Sequence, residues 1–109
     1  MGETPKQIVT LTERQISLIG FAIKSRRAEF GFEAVKRQLL AGKIALVLLS
    51  EDIAADSAKK IETMATRQRV PVYRMQNDTT WRAQLGIERF KIIALHRGPL
   101  AKGFFKNVK

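Results

Sequence analysis

The sequence has no cysteine and a single histidine, and these shortages exclude several classes of protein. Without cysteine the chain has no disulfide framework, no thiol nucleophile and no thiolate metal site. One histidine leaves too few ligands for a zinc site, so we expect no bound metal. The longest uninterrupted apolar run, Ile44–Leu49, is far shorter than the ~18 residues of a membrane-spanning helix, so we also expect no membrane contact.

Signatures of export and of catalysis are missing too. The first residues lack a basic stretch followed by an apolar core, so we expect no signal peptide and a cytoplasmic location. No nucleophile elbow, phosphate-binding loop or dinucleotide fingerprint occurs. The pair Glu51 and Asp52 could bind a cation, but a helix cap formed by Asp52 is the favoured interpretation. We therefore predict a protein that is not an enzyme and has no cofactor.

What the sequence has in excess is positive charge. Lysine and arginine number 20 against 10 aspartate and glutamate residues, which gives a net charge of +10 and an isoelectric point near 10.6. A small basic domain attracts polyanions, of which nucleic acid is the commonest in cells. With 109 residues, 45% of them hydrophobic, the chain can bury one core, so we predict a single domain over residues 1–109.

Apolar spacing predicts helices that alternate with strands. We expect a first helix from a cap at Thr10 to about residue 24 and a second over about 31–41. Further helices are expected from a cap at residue 52, through 81–85 up to Gly86, and from 100 to 105. Strands are expected at Ile44–Leu49, buried on both faces, and at about 70–75 and 91–95, whereas residues 1–9 read as a loose lead-in. The alternation predicts an α/β fold, a three-layer α/β/α sandwich around a small mixed, mostly parallel central sheet.

Basic residues are concentrated around the second predicted helix. Gly31 precedes this helix, and a glycine there lets phosphate approach the free backbone N–H groups of the first turn. Glu33 and Arg37 are four residues apart and could instead form a stabilising surface ion pair. The basic residues that flank this helix or lie along it are Lys24, Arg26, Arg27, Lys36 and Arg37.

The run from Gly31 to Asp52, GFEAVKRQLLAGKIALVLLSED, resembles the core of the L7Ae and L30e superfamily of ribosomal proteins. The resemblance covers about residues 14–106 and is nearest to the bacterial YlxQ-like branch. It implies an α/β/α fold that binds structured RNA and has no catalytic activity. Outside the core, it continues at Lys59-Lys60-Ile61, at Val70-Pro71-Val72 and at the Gly86 turn.

Members of this superfamily grip kink-turns, which are RNA duplexes sharply bent at tandem sheared G·A pairs. The resemblance implies that Gly31 is the family glycine before the second helix. Ala34 stands where the family has a glutamate that accepts from a guanine edge, so we expect RNA binding with weak discrimination for a standard kink-turn. The family's Asn-Glu-x-x-Lys set and its apolar loop after the last strand correspond here to Glu33, Ala34 and Arg37, and to Leu95, His96 and Arg97.

The favoured function is that of a ribosome-associated protein that binds structured RNA, above all ribosomal RNA. The alternative is a protein–protein interaction module on an RNA–protein assembly, which an exposed apolar patch near Trp81 and Phe104-Phe105 would favour. An enzyme would need a pocket with converging ionisable groups. The predicted RNA-binding residues are Lys24, Arg26, Arg27, Gly31, Glu33, Lys36, Arg37, Leu95, His96 and Arg97.

Overall fold

The computed structural model describes residues 7–106, in which five helices alternate with five strands. The α/β prediction is confirmed, and the predicted strand Ile44–Leu49 is present with those bounds. The elements are β1 Gln7–Val9, α1 Glu13–Lys24, β2 Ala28–Phe30, α2 Phe32–Leu40, β3 Ile44–Leu49, α3 Ala55–Arg67, β4 Val72–Met75, α4 Thr79–Gln84, β5 Ile92–His96 and α5 Pro99–Phe105.

Two short strands and two helix starts differ from the predictions, since α1 is capped by Thr12 and not by Thr10. Residues 7–9 of the predicted loose lead-in form β1, while residues 1–6 lie outside the described residues. The segment Ala28–Phe30 forms β2, and three residues are too few for an alternating pattern to be visible. The predicted cap at Asp52 is wrong, because α3 begins after Ala54 and has no side-chain cap.

The strand order is β1-β4-β3-β5-β2, with β3 at the centre. Parallel pairs join β1 to β4 and β3 to β4, whereas β5 pairs antiparallel with β3 and with β2. A mixed sheet is therefore confirmed, but it is evenly mixed rather than mostly parallel. The reason is that α4 does not carry the chain back along the sheet, so β5 starts at the end where β4 stops.

Side chains of β3 alternate between two cores, as a strand covered on both faces requires. Leu46 and Leu48 face a core that includes Ile19 of α1 and Phe104 of α5. Val47 and Leu49 belong to the other core, which α2 and α3 complete. The predicted three layers and the buried central strand are thus confirmed. In the described part of the chain, no helix is both long and apolar enough to span a membrane.

The strand registers define two ends of the sheet. At one end β2, β3 and β4 finish, β5 begins, and α2 and α3 start; we call it the Gly31 end. At the opposite end β3 and β4 begin, β5 finishes, and α1, α2 and α3 terminate; we call it the Arg97 end. Because β5 has five residues, the two ends lie roughly 15 Å apart at ~3.4 Å per residue.

Candidate nucleic-acid interface

Gly31 forms the tight turn between β2 and α2. Its φ of 86° and ψ of 164° lie in a region that only glycine adopts readily. The Gly31 N–H donates to the carbonyl of Ile92 at 2.9 Å, which fixes the turn against β5. No side chain caps α2, so the N–H groups of its first turn lack an intrahelical partner and can meet an anion.

The loop between α4 and β5 lies directly beside this turn. A Cβ added at Gly31 would be 3.5 Å from the ring of Phe90, so the glycine and this ring are neighbours. Phe90 also packs against Phe30 with ring centroids 5.5 Å apart, and the guanidinium of Arg89 lies 4.9 Å from the Phe90 centroid. Arg89 is exposed and Phe90 is half-buried. RNA bases stack on aromatic rings and on arginine guanidinium planes.

A buried arginine holds this loop in place. Arg82 is only 2% exposed, and its Nε donates to a carboxylate oxygen of Asp78 at 2.6 Å. Its Nη1 donates to the carbonyl of Glu88 at 2.7 Å and to that of Phe90 at 3.1 Å. The buried, charged side chain therefore fixes the backbone of residues 88–90 next to Gly31.

Asp52 adds a second link between the loop and the end of β3. Its carboxylate accepts from Nζ of Lys91 at 2.7 Å and from Oγ of Ser50 at 2.7 Å. These hydrogen bonds, that of Lys91 first, lower the pKa of Asp52 from 3.8 to about 2. The carboxylate thus stays charged at neutral pH and is already engaged by cations. Within residues 7–106, no three potential ligand side chains come together to hold a metal ion.

On α2, the first turn presents Glu33 exposed and Ala34 half-buried. Arg37 belongs to the last turn, and the ion pair between Glu33 and Arg37 that the spacing allows is not formed among the described residues. Beside α2, a groove of about 430 Å³ runs along α3. Its lining combines apolar and basic side chains: Phe32, Lys36, Asp56, Lys59, Lys60, Thr63 and Met64.

The sequence profile of the Ribosomal protein L7Ae/L30e/S12e/Gadd45 family matches residues 16–88. The chain belongs to this family. A protein of unknown function from Bacillus halodurans C has the same fold as this L7Ae-family chain, with a TM-score of 0.77 and 22% identity over 87% of this chain and 96% of that one. The Giardia lamblia 15.5kD RNA binding protein aligns with a TM-score of 0.67 and 14% identity, over 96% of this chain and 97% of that one. No curated protein sequence matches significantly.

The L7Ae-family fold does not bring all the predicted residues together. Gly31, Glu33 and Lys36 lie in the Gly31 turn and the first half of α2, whereas Leu95, His96 and Arg97 lie at the Arg97 end. The prediction that the segment after the last strand adjoins Gly31 is wrong, because β5 runs away from Gly31. Leu95 is fully buried and cannot cover a base. The segment that does adjoin Gly31 is the α4–β5 loop.

The remaining predicted residues lie toward the Arg97 end, as His96 does. The backbone N–H of His96 donates to the carbonyl of Arg27 at 2.9 Å, and its Nε2 lies 2.7 Å from Oε2 of Glu29. The N–H of Arg97 donates to the carbonyl of Lys43 at 3.0 Å, and Nε of Arg97 donates to that of Gly42. Lys24, Arg26 and Arg27 belong to the end of α1 and the turn after it, at the same end of the sheet.

The apolar patch that would favour a protein–protein module is not formed where we expected it. Trp81 is 6% exposed and Phe104 is fully buried, so only Phe105, at 36%, remains accessible there. Sequence reasoning also missed Arg82 and Phe90, although the Asp78–Arg82 spacing of four residues on a helix was a usable signal.

Proposed function

We propose that this chain binds structured RNA at the Gly31 end of the sheet. The observation that carries the proposal is the loop fixed by Arg82 beside Gly31. A loop held by buried hydrogen bonds loses little freedom on binding, which favours recognition of a folded partner. Membership of a ribosomal protein family, and a fold shared with a protein described as RNA-binding, support the same class of partner.

In this proposal phosphate groups meet the free N–H groups of the first turn of α2 and the exposed side chains of Arg89 and Lys36. An unpaired base lies in the groove between α2 and α3, where Phe32 and Met64 offer apolar contact. Lys59 and Lys60 at the rim of the groove pair with the phosphates that flank this base. No step of the proposal is catalytic.

Specificity for a kink-turn is weak in this proposal, because Ala34 has no acceptor for a guanine edge. Phosphate contacts position the RNA, whereas base contacts specify it. The double variant Glu33→Asn with Ala34→Glu restores the family residues on the first turn of α2. We expect it to raise the preference for a kink-turn over a duplex of equal length about tenfold, the factor for ~1.4 kcal/mol.

The measurement is a titration of both proteins against both RNAs at one fixed salt concentration. The matched control is Glu13→Asn with Ala55→Glu, which makes the same two changes in the first turns of α1 and α3. A similar gain in the control would mean that the effect is not local. A hundredfold preference already present in the wild type would contradict the assignment of Ala34.

The same proposal makes the chain a ribosome-associated accessory protein of the YlxQ-like branch, acting in the cytoplasm on ribosomal RNA. Its support is the family and the basic charge. The test is sedimentation of the tagged chain with ribosomal subunits, followed by crosslinking and sequencing of the bound RNA. Ribosomal RNA crosslinked at one place is the expected result, and crosslinks spread over unrelated RNAs would contradict it.

A further inference from the structure

The Arg97 end of the sheet carries a separate concentration of positive charge. The loops at this end, residues 25–27, 41–43, 68–71 and 96–98, contain no acidic residue. None of the cations at this end takes part in an ion pair between described residues. The exposed cations in these loops and in the helix turns that precede them are Lys24, Arg26, Arg27, Arg37, Lys43, Arg67, Arg69 and Arg97.

The positive charge at this end exceeds what is needed to balance the negative ends of the helix dipoles. The ends of α1, α2 and α3 each contribute about half a negative charge, so roughly two cations would balance all three. Arg97 does serve one of them, since its Nε donates to the carbonyl of Gly42. Glu29, a carboxylate on β2, lies 2.7 Å from Nε2 of His96. Most of the cations therefore remain available to an external anion.

The Gly31 end has the opposite balance. Its loops contain Glu51, Asp52 and Glu88 against Arg89 and Lys91, whereas the charge of Asp78 is compensated by Arg82 of α4. The first turns of α2 and α3 add Glu33 and Asp56. Long-range attraction of a polyanion therefore acts mainly on the Arg97 end, although the fixed loop and the groove lie at the other.

The cations also form a row of suitable length. Arg27, Arg97 and Lys43 directly adjoin the ends of β2, β5 and β3, and Arg69 lies three residues before β4; the four strands are adjacent in that order. Four strands spaced ~4.8 Å apart give a row of about 14 Å. Successive phosphates of a nucleic-acid strand advance ~3.4 Å along the axis in DNA, so the row can meet several consecutive phosphates.

We propose that the Arg97 end is a second RNA-binding surface, which takes the phosphate backbone of a duplex while the Gly31 end holds a folded motif. One molecule then bridges two RNA segments. The choice of RNA as the polyanion rests on the proposed function, whereas the separation of the two surfaces rests on the strand directions and charges alone. Arginine and lysine without adjacent base-reading groups recognise the backbone and not its sequence.

The test uses two triple variants of the full chain. In the Arg97-end variant Arg26, Arg27 and Lys43 become glutamine, and in the control Arg14, Lys102 and Lys106 become glutamine. Both lose three exposed charges, so the net charge changes equally. Each protein is saturated with a kink-turn RNA, titrated with a plain RNA duplex, and followed by native mass spectrometry.

We expect wild type and control to form a complex with one copy of each RNA. The Arg97-end variant should keep the kink-turn RNA but bind the duplex at least ~tenfold more weakly, because each lost phosphate contact removes most of a log unit of affinity at 0.1 M salt. The inference is overturned if this variant binds the duplex within twofold of wild type.

Two further arms keep the outcomes distinct. If wild type forms no kink-turn complex, the proposed function fails, and the duplex titration without the first RNA still compares the three proteins. If the Arg97-end variant does not fold, as judged by circular dichroism, Arg67→Gln with Arg69→Gln replaces it and probes the same surface from α3. Unchanged duplex affinity in that double variant would also overturn the inference.

Discussion

At the scale of single residues, Arg82 shows how a buried charge shapes a surface that it does not reach. Its guanidinium joins Asp78, the carbonyls of the α4–β5 loop and, at 3.6 Å, the carboxylate of Asp52. Charged hydrogen bonds are roughly twice as strong as neutral ones, and a buried charge left without its partner is costly. The position of Phe90 beside Gly31 therefore depends on a residue with almost no exposed surface.

The first prediction concerns this pair. Arg82→Met and Asp78→Asn should each lower the free energy of unfolding by about 3 kcal/mol or more, because each leaves a buried group unpaired. The double variant should be more stable than the sum of the two losses implies, with a coupling of ~1–3 kcal/mol. Urea unfolding of wild type, the two single variants and the double variant gives the four free energies of this double-mutant cycle. Additive losses would mean that the contact between the two side chains contributes nothing of its own.

At the scale of elements, two helices begin after a glycine that no other residue easily replaces. Gly31 precedes α2 with φ 86° and ψ 164°, and Gly98 precedes α5 with φ 145° and ψ −169°. Both lie in the glycine-only region, but they lie at opposite ends of the sheet. A Cβ at Gly98 would meet nothing within 4 Å, whereas one at Gly31 would contact Phe90.

The second prediction compares these glycines. Gly31→Ala and Gly98→Ala should each cost about 1–3 kcal/mol of stability through backbone strain alone. Only Gly31→Ala should also weaken binding of a kink-turn RNA, because its backbone strain acts on the turn that opens α2 at the proposed RNA site. Thermal unfolding gives the first comparison and RNA titration the second. Equal loss of RNA affinity in both variants would show that the Gly31 turn has no special part in binding.

Elements with strong periodicity were predictable, and short ones were not. The apolar run of β3 and the stripe of Val35 and Leu39 on α2 identify their elements from sequence alone. β1 and β2 have three residues each, and only pairing with neighbours defines them. Of the candidate site, the position of Gly31 directly before α2 agrees with the resemblance. The loop beside it depends on the direction of β5, which sequence spacing does not encode.

At the scale of the whole molecule, the layout of the chain separates charge by sign. Because α1, α2 and α3 all run from the Gly31 end to the Arg97 end, acidic residues in their first turns collect at one end. Lys24, Arg37 and Arg67 in their last turns lie toward the other. Each of these charges interacts favourably with the dipole of its own helix. Together they concentrate acidic residues toward the Gly31 end and basic residues toward the Arg97 end.

The last prediction follows from the net charge of +10. Each phosphate contact contributes ~0.7–0.9 to the slope of log affinity against log salt, so four contacts give a slope of about −3 for a plain duplex. Replacing Arg26, Arg27 and Lys43 by glutamine removes up to three contacts and should flatten the slope to about −1. The control variant at Arg14, Lys102 and Lys106 has the same net charge and should keep the wild-type slope. Titrations of the three proteins with the duplex at salt concentrations from about 50 to 200 mM measure the three slopes. A wild-type affinity that does not change with salt would contradict phosphate contacts altogether. An equal flattening in both variants would assign the effect to net charge and not to the Arg97 end.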